Sequence, residues 1–468
     1  MAEKLFNLAA RNKGGIRQVE KVNTHNLFRM PWSMSDNAFT WLEITRRCDL
    51  NCSYCYQKSD PESNKTLFQI EQELIATLGL RKTDTVFITG GEPLLHPDLD
   101  AIVKMVKSYR VKPVLMTNGN RLNEEKVISL KESGLFGFVI HVDRGQDRPG
   151  WKGKPEKALN NLRQAYADMI YKAGGMICGF NTTILPETLN ELPDIVEWTV
   201  KNIDKVCTNT IIPVRVLGKE NGWDLYVNNK RIKYEETAFS TREYATKTHR
   251  DLTSSDLIRQ VKRVMPDFTA NAFLGGTEVP DAPKWLFSNV VGTKDKVYGF
   301  MGPCAMELMQ NGYHFLKGRY LSFLKPSMYG MGKLMFPLGI MDRGIRKSFL
   351  SYISRCLKNP LNLFKKVYVQ SLLILQPQDI LEDGRQDLCD GCPNKTYHNG
   401  ALISACRKEE YVRFGGMVIL RKKAGEKKVT VYDWSDKLYE EYTFHNLKFN
   451  VGLNEKDFDP DNDQYNFF

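Results

Sequence analysis

Between residues 40 and 216 the chain alternates strand-like and helix-like stretches, and this alternation narrows the fold more than any other feature. Short apolar or β-branched runs fall at 40–45 (TWLEIT), 85–89 (TVFIT), 113–116, 137–142, 176–183 and 210–216. Between them lie stretches of helical periodicity at 66–80, 99–109, 124–133, 155–172 and 187–201. The second of these places Leu99, Ile102, Val103 and Val106 on one face. Strands separated by helices imply parallel βαβ units. Right-handed crossovers curl such units into a full or partial barrel, with the chemistry on the loops after the strand C-terminal ends.

The loop after the first strand reads Arg46-Arg47-Cys48-Asp49-Leu50-Asn51-Cys52-Ser53-Tyr54-Cys55, a Cys-x3-Cys-x2-Cys spacing. Three thiolates this close can each take one corner of a cubane iron–sulfur cluster and leave the fourth iron open to a ligand. A zinc knuckle needs a fourth ligand, and no histidine lies in this loop. The second strand ends in Gly90-Gly91-Glu92-Pro93, where the glycines allow close backbone approach and Glu92 can accept hydrogen bonds from an ammonium. The third ends in Thr117-Asn118-Gly119, which also reads as a simple turn, and the fourth in His141-Val142-Asp143-Arg144-Gly145.

The cysteine motif, with the aromatic Tyr54 just before its last cysteine, resembles the signature of the radical S-adenosylmethionine (radical SAM) superfamily over roughly residues 38–216. The resemblance implies a partial (β/α)6 barrel in which Cys48, Cys52 and Cys55 hold a catalytic [4Fe–4S] cluster. It implies S-adenosylmethionine as second cofactor, beside Tyr54, the Gly90–Gly91–Glu92–Pro93 motif, Thr117, Asn118 and Asp143. In such enzymes Gly-Gly-Glu-Pro holds the methionine amino group, and reductive cleavage yields a 5′-deoxyadenosyl radical that takes hydrogen from an unactivated carbon. An electron donor of flavodoxin or ferredoxin type is implied as partner. Relatives carry Ser-x-Asp-Gly after the fourth strand, so His141 and the inserted Arg144 depart from the pattern. Asn181, Thr183 and Arg215 are further candidates for the mouth of the barrel.

A second group of cysteines follows: Cys304, Cys389, Cys392 and Cys406, with Cys389-Asp390-Gly391-Cys392 a tight Cys-x2-Cys. Four thiolates suffice for another [4Fe–4S] cluster. The group resembles the C-terminal auxiliary-cluster domains, SPASM or twitch, of radical SAM maturases, with fewer cysteines. One auxiliary cluster is expected; a four-cysteine zinc site, or three cysteines with His398, is the other reading. Cys178, Cys207 and Cys356 read as buried apolar-face residues. The expected architecture is thus an N-terminal extension (1–38), a radical SAM core (39–235), a connector (236–300), a cysteine-rich auxiliary domain (301–420) and a tail (421–468).

Inside that auxiliary region, residues 321–340 are rich in Met, Leu and Phe, and Arg343, Arg346, Lys347, Arg355, Lys358, Lys365 and Lys366 follow, interleaved with apolar residues. A basic amphipathic helix there suits a membrane surface; a helical lid on the barrel explains it equally. The net charge of +11 also admits a merely basic surface. Nucleic acid is not expected, since no recognised binding module accompanies the charge. Residues 1–12 carry Glu3, Lys4 and Arg11 and lack a signal-like apolar core, and no run of 18 apolar residues occurs. A cytoplasmic enzyme with metal-binding rather than disulfide-bonded cysteines is expected, peripheral to a membrane if the basic helix docks there. Three activities fit: hydrogen abstraction from a lipid or isoprenoid-like substrate, maturation of a ribosomally made peptide, and a non-catalytic iron–sulfur electron carrier. Gly90–Pro93 argues against the carrier, which needs no S-adenosylmethionine site.

Overall fold

Six parallel strands form on the predicted apolar runs: β1 (Phe39–Thr45), β2 (Thr85–Gly90), β3 (Lys112–Thr117), β4 (Gly137–His141), β5 (Ile177–Ile184) and β6 (Thr208–Pro213). They lie side by side in sequence order, with Thr40 opposite Val86, Phe87 opposite Val114 and Asn181 opposite Thr210. The structure is a computed structural model and describes residues 22–214, 223–237, 252–381, 384–422, 427–432 and 438–444.

Helices α1 (Leu67–Leu80), α2 (Leu99–Ser108), α3 (Glu124–Glu132), α4 (Glu156–Ala173) and α5 (Leu192–Lys201) connect the strands. Thr66 starts α1 through a capping box: its hydroxyl accepts from the Gln69 amide at 3.2 Å and Gln69 accepts from the Thr66 amide at 2.9 Å. The predicted face of α2, Leu99, Ile102, Val103 and Val106, is fully buried. Burial of each such side chain contributes about 1.5–3 kcal/mol.

Alternate strand residues serve two cores. Leu42, Ile44, Val86, Ile88, Leu115 and Ile140 pack under the helices. Phe39, Phe87, Val114, Val139 and Ile177 point the other way, toward Trp32 and Phe287. Burial on both faces is why these strands read as nearly continuous apolar runs.

The sheet does not close. Beyond β6 it continues through two further strands, β7 (Trp285–Thr293) and β8 (Tyr368–Leu375). β8 runs parallel to β6, with Ser371 opposite Thr208, and β7 antiparallel to β8. Ala272–Leu274 and Phe28–Arg29 complete that flank. At the opposite edge a hairpin of β9 (Lys395–His398) and β10 (Ala401–Ser404) adds parallel to β1, Thr396 opposite Trp41. The segments read from sequence as connector and insertion therefore supply central strands. The same region carries α6 (Ser254–Val264), α7 (Pro303–Lys317), a 3-10 stretch Gly332–Ile340, α8 (Arg343–Lys358) and another 3-10 turn, Pro360–Phe364. The last helix, α9 (Lys408–Phe414), follows β10. Among the described residues no helix is long and apolar enough to cross a membrane.

Candidate active site

The loop 46–60 and the end of β2 are built as one piece. A Cβ on Gly91 would stand 2.2 Å from the Arg47 carbonyl oxygen, and one on Gly90 2.1 Å from that of Thr45. Only glycine lets the two backbones lie this close. The Gly91 amide donates to Thr45 O at 2.9 Å and the Glu92 amide to Arg47 O at 2.6 Å. Glu92 itself is completely buried. It accepts from Thr117 Oγ1 and the Asn118 amide, both at 2.6 Å, and from the Leu94 amide at 2.9 Å. Burial raises its carboxyl to about 7 against the pull of these hydrogen bonds.

Asp49, inside the cysteine loop, ties that loop to the end of β3. It accepts from Asn118 Nδ2 and Asn120 Nδ2 at 2.9 Å and from Arg121 Nε at 3.2 Å. Burial alone would raise the Asp49 carboxyl, but the donors Asn120, Asn118 and Arg121 outweigh it and hold it below its usual value.

Tyr54 reaches across to β4. Its hydroxyl lies 2.6 Å from both Asp143 carboxylate oxygens, and its ring lies against the backbone of Gly145, where a Cβ would meet it at 2.5 Å. His141 Nε2 stands 2.8 Å from Asp143 Oδ2 and 3.1 Å from Thr183 Oγ1, and the Thr183 amide donates to Asp143 at 2.9 Å. Burial, then the Asp143 charge, drives the Tyr54 phenol well above its ordinary range.

All of this borders one cavity of about 460 Å³. Cys48, Cys52, Cys55, Gly90, Gly91, Thr117 and Asn118 line it, as do His141, Asn181 and Thr183. Glu92, Pro93 and Asp143, expected beside S-adenosylmethionine, do not themselves line the cavity. Their work is internal: Glu92 orients Thr117 and Asn118, Pro93 opens a 3-10 turn, and Asp143 fixes Tyr54 and His141. Arg215 lies outside the described residues. Sequence reasoning missed Arg148, a buried residue whose guanidinium reaches the carbonyls of His141, at 2.6 Å, and Asn118. Two of its partners are backbone oxygens, which leave no trace in sequence; a third is Gln146 Oε1 at 3.0 Å.

The second cysteine group opens into the same cavity. Cys389, Cys392 and Cys406 line it, whereas Cys304, in the first turn of α7, and His398, on β9, do not. Three of the four expected sulfurs thus share the cavity. Gly391, at φ +58°, presses so closely on Trp32 that a Cβ would lie 2.1 Å from its carbonyl oxygen, and Asn37 Nδ2 donates to Gly391 O at 2.8 Å. The buried Arg81 donates to Met34 O at 2.7 Å, Phe39 O at 2.9 Å, Cys392 O at 3.1 Å and Pro393 O at 3.3 Å. Lys284, buried between Asp379 at 2.6 Å and Asp387 at 2.9 Å, anchors the approach to Cys389. Cys406 is placed by α9, whose Lys408 pairs with Glu43 of β1 at 2.8 Å and whose Glu409 pairs with Arg46. A hydrogen bond from Cys389 holds the Cys392 thiol down at about 6. Tyr56 lines the same cavity, within electrostatic reach of Cys55, Cys392 and Cys406. Cys178, Cys207 and Cys356 are buried, as expected.

The donor chemistry fits a cluster at the first group: three sulfurs on one loop, a shared cavity, and a glycine edge beside them for a ligand. Among the described residues no three His, Cys, Asp or Glu side chains converge on a point as a single ion requires. A cubane spreads its ligands over separate irons and does not ask for that convergence.

Residues 42–199 match the family described as the radical SAM superfamily, and residues 422–467 match a protein of unknown function (DUF1571). Among curated proteins, the GTP 3′,8-cyclase of Chlorobaculum tepidum is 28% identical over 164 residues, 34% of this chain and 48% of the relative. The Fe-coproporphyrin III synthase of Methanosarcina barkeri is 28% identical over 171 residues, 35% of this chain and 41% of the relative. A probable GTP 3′,8-cyclase of Methanococcus vannielii reaches 35% identity over 168 residues, 34% of this chain and 54% of the relative. The chain thus spans about half the length of the curated relatives it matches. Among solved structures, Streptococcus suis SuiB bound to precursor peptide SuiA aligns with a TM-score of 0.35 at 15% identity, covering 56% of each chain. Residues 42–199 are a radical SAM domain, the module of a superfamily of enzymes that use a [4Fe–4S] cluster and S-adenosylmethionine.

Proposed function

We propose that this chain is a radical SAM enzyme that abstracts hydrogen from an apolar substrate of lipid or isoprenoid type. The observation that carries the reading is the apolar share of the cavity's lining. It is built from Trp32, Phe87, Trp285, Phe287, Met306 and Phe323, with further methionines around them. A largely apolar wall binds hydrocarbon by excluding water and offers few groups to a charged peptide.

Cys48, Cys52 and Cys55 would hold the catalytic cluster, and the Gly90–Gly91 edge with Thr117 and Asn118 would flank S-adenosylmethionine. When bound and reduced, the cluster supplies the electron that splits S-adenosylmethionine into methionine and a 5′-deoxyadenosyl radical, which takes hydrogen from carbon. The chain's own part is positioning. Glu92 fixes Thr117 and Asn118, Asp143 fixes Tyr54 and His141, and the His141 imidazole, which borders the cavity, would serve as a proton donor.

Cys389, Cys392 and Cys406 support a second, auxiliary cluster of SPASM or twitch type, held by three protein sulfurs. Replacing Cys389 and Cys392 should lower total iron and spare the first cluster's spectrum; lost zinc with unchanged iron would make the second site structural zinc. A flavodoxin- or ferredoxin-like donor would supply the electron.

The test is release of 5′-deoxyadenosine by anaerobically reconstituted, reduced protein, with lipid extract in one arm and aqueous extract in the other. Stimulation by lipid alone supports the reading. Stimulation by the aqueous arm alone turns it toward a peptide or soluble metabolite. No release from protein with an intact cluster refutes the enzyme.

A further inference from the structure

Helix α8 is apolar on two faces. Ile345, Ser348, Tyr352 and Cys356 face inward and are buried, which is all that a lid packed on the barrel requires. Leu350 and Leu357 stand on the outward stripe with Arg343, Lys347 and Ser354, at the i, i+4, i+7, i+11 and i+14 spacing of one helical face, and Leu357 is 81% exposed. The two 3-10 stretches that pack against α8 continue the surface. Phe336 stacks within 5.3 Å of Phe349, and Lys333 Nζ donates to Leu363 O at 2.6 Å. On them Ile340 is 84% and Phe364 85% exposed, and Leu334 and Leu361 are also exposed. Contiguous apolar exposure of this kind marks a surface that something covers.

The charge around it says what. Arg343, Lys347, Lys358, Lys365 and Lys366 stand among these side chains, all exposed. Asp295, from outside the segment, pairs with Lys365 at 2.7 Å; from residue 318 to 366 the only acid is Asp342. That carboxylate is buried and spent on the amides of Gly302 at 3.0 Å, Ala305 at 2.9 Å and Ile345 at 2.8 Å. A second copy of the same surface would meet cation against cation, and a nucleic acid would leave the leucines and phenylalanine without a partner. An anionic bilayer offers both halves: phosphates for the cations and an acyl boundary for the apolar side chains.

We infer that the face formed by Gly332–Ile340, α8 and Pro360–Phe364 docks the enzyme on an anionic lipid surface. Met335, on the Gly332–Ile340 stretch, lines the cavity that reaches the cysteines, beside Phe323 and Tyr329 of the preceding segment. Through Met335 the docking face and the cavity wall share one stretch of chain, which brings the membrane near the site. Only this last link rests on the substrate reading above; the surface stands without it.

Flotation of the reconstituted full chain with vesicles tests the inference. Binding to phosphatidylcholine/phosphatidylglycerol vesicles should exceed binding to pure phosphatidylcholine and weaken with salt. Lys347→Gln and Lys358→Gln should each weaken it about fivefold. Leu350→Glu with Leu357→Glu, both exposed and outside the core, should weaken it more than about tenfold while leaving S-adenosylmethionine cleavage unchanged. Failure of the wild type to bind anionic vesicles, or indifference of binding to the leucine pair, would overturn the inference. So would self-association in sedimentation that the same pair abolishes, because a second copy would then be the occupant. Vesicle binding without lipid-stimulated 5′-deoxyadenosine release upholds the surface and refutes only the substrate reading.

Discussion

Replacing Arg81 by Met should loosen the second cysteine loop without touching a cysteine. The guanidinium is fully buried and pairs with no carboxylate among the described residues: five backbone carbonyls, those of Ser33, Met34, Phe39, Cys392 and Pro393, solvate it instead. Burial lowers its pKa to about 10, so it stays protonated at neutral pH. Methionine keeps the apolar stem and removes every donor. An unsatisfied buried carbonyl costs about 1–3 kcal/mol. Five such losses relax together and do not add, and about 3 kcal/mol is the expected total for local opening. Hydrogen–deuterium exchange of the peptide spanning 388–396 is the assay, since a chain this large has no single unfolding free energy. A change of about 3 kcal/mol is about a hundredfold in exchange rate, and metal bound at Cys389 and Cys392 should fall with it, while the first cluster's spectrum is retained. Exchange within about tenfold of wild type, at unchanged metal content, would refute the claim that Arg81 fastens this loop.

Other outcomes follow from the same geometry. Alanine at Cys48, Cys52 and Cys55 should abolish 5′-deoxyadenosine formation, and retained formation would move the cluster elsewhere. Cys304→Ser should leave metal at the second site unchanged, whereas Cys406→Ser should lower it; metal analysis of both variants reads the difference. Glu92 titrates near 7 when folded against 4.5 for the free group, so the folded state holds the extra proton. Its contribution therefore erodes stability as pH rises from about 4.5 to 7, by up to about 3 kcal/mol. Glu92→Gln should flatten that slope in melting temperature against pH, and parallel curves for the two proteins would contradict the burial argument. Tyr54→Phe removes the hydroxyl that both Asp143 oxygens share, and should raise the KM for S-adenosylmethionine more than it lowers kcat.

The six core strands were legible because each run of β-branched and apolar residues is short and bounded by turn residues, and α2 because four apolar side chains repeat on one face. Strand β8 was not. Its run YVQSLLIL looks like any apolar stretch, and its parallel neighbour β6 lies more than 160 residues earlier, a pairing that no local pattern announces. The cysteine loop was legible from spacing alone, since three sulfurs within eight residues have few uses. The division of labour around it was not. Glu92 and Asp143 look like ligand contacts in sequence, but the structure turns them inward, where Thr117, Asn118, Tyr54 and His141 consume their oxygens. Cys304 shared residue type with the second group and little else, because spacing across a long insertion carries no geometry.

The hairpin at the edge of β1 has a consequence for how the protein comes into being. Thr40 Oγ1 donates to the Lys395 carbonyl across 355 residues of chain. A ribosome adds about 5–20 residues per second, so β1 waits roughly 20–70 s for the partner that covers it. Throughout that interval the nascent chain carries an unpaired strand edge beside the Cys48 loop, open to neighbouring chains and to oxidants. Assembly of the metal site and completion of the sheet are thereby a race, and cells short of iron or rich in oxygen should lose this protein during synthesis before they lose it by inactivation.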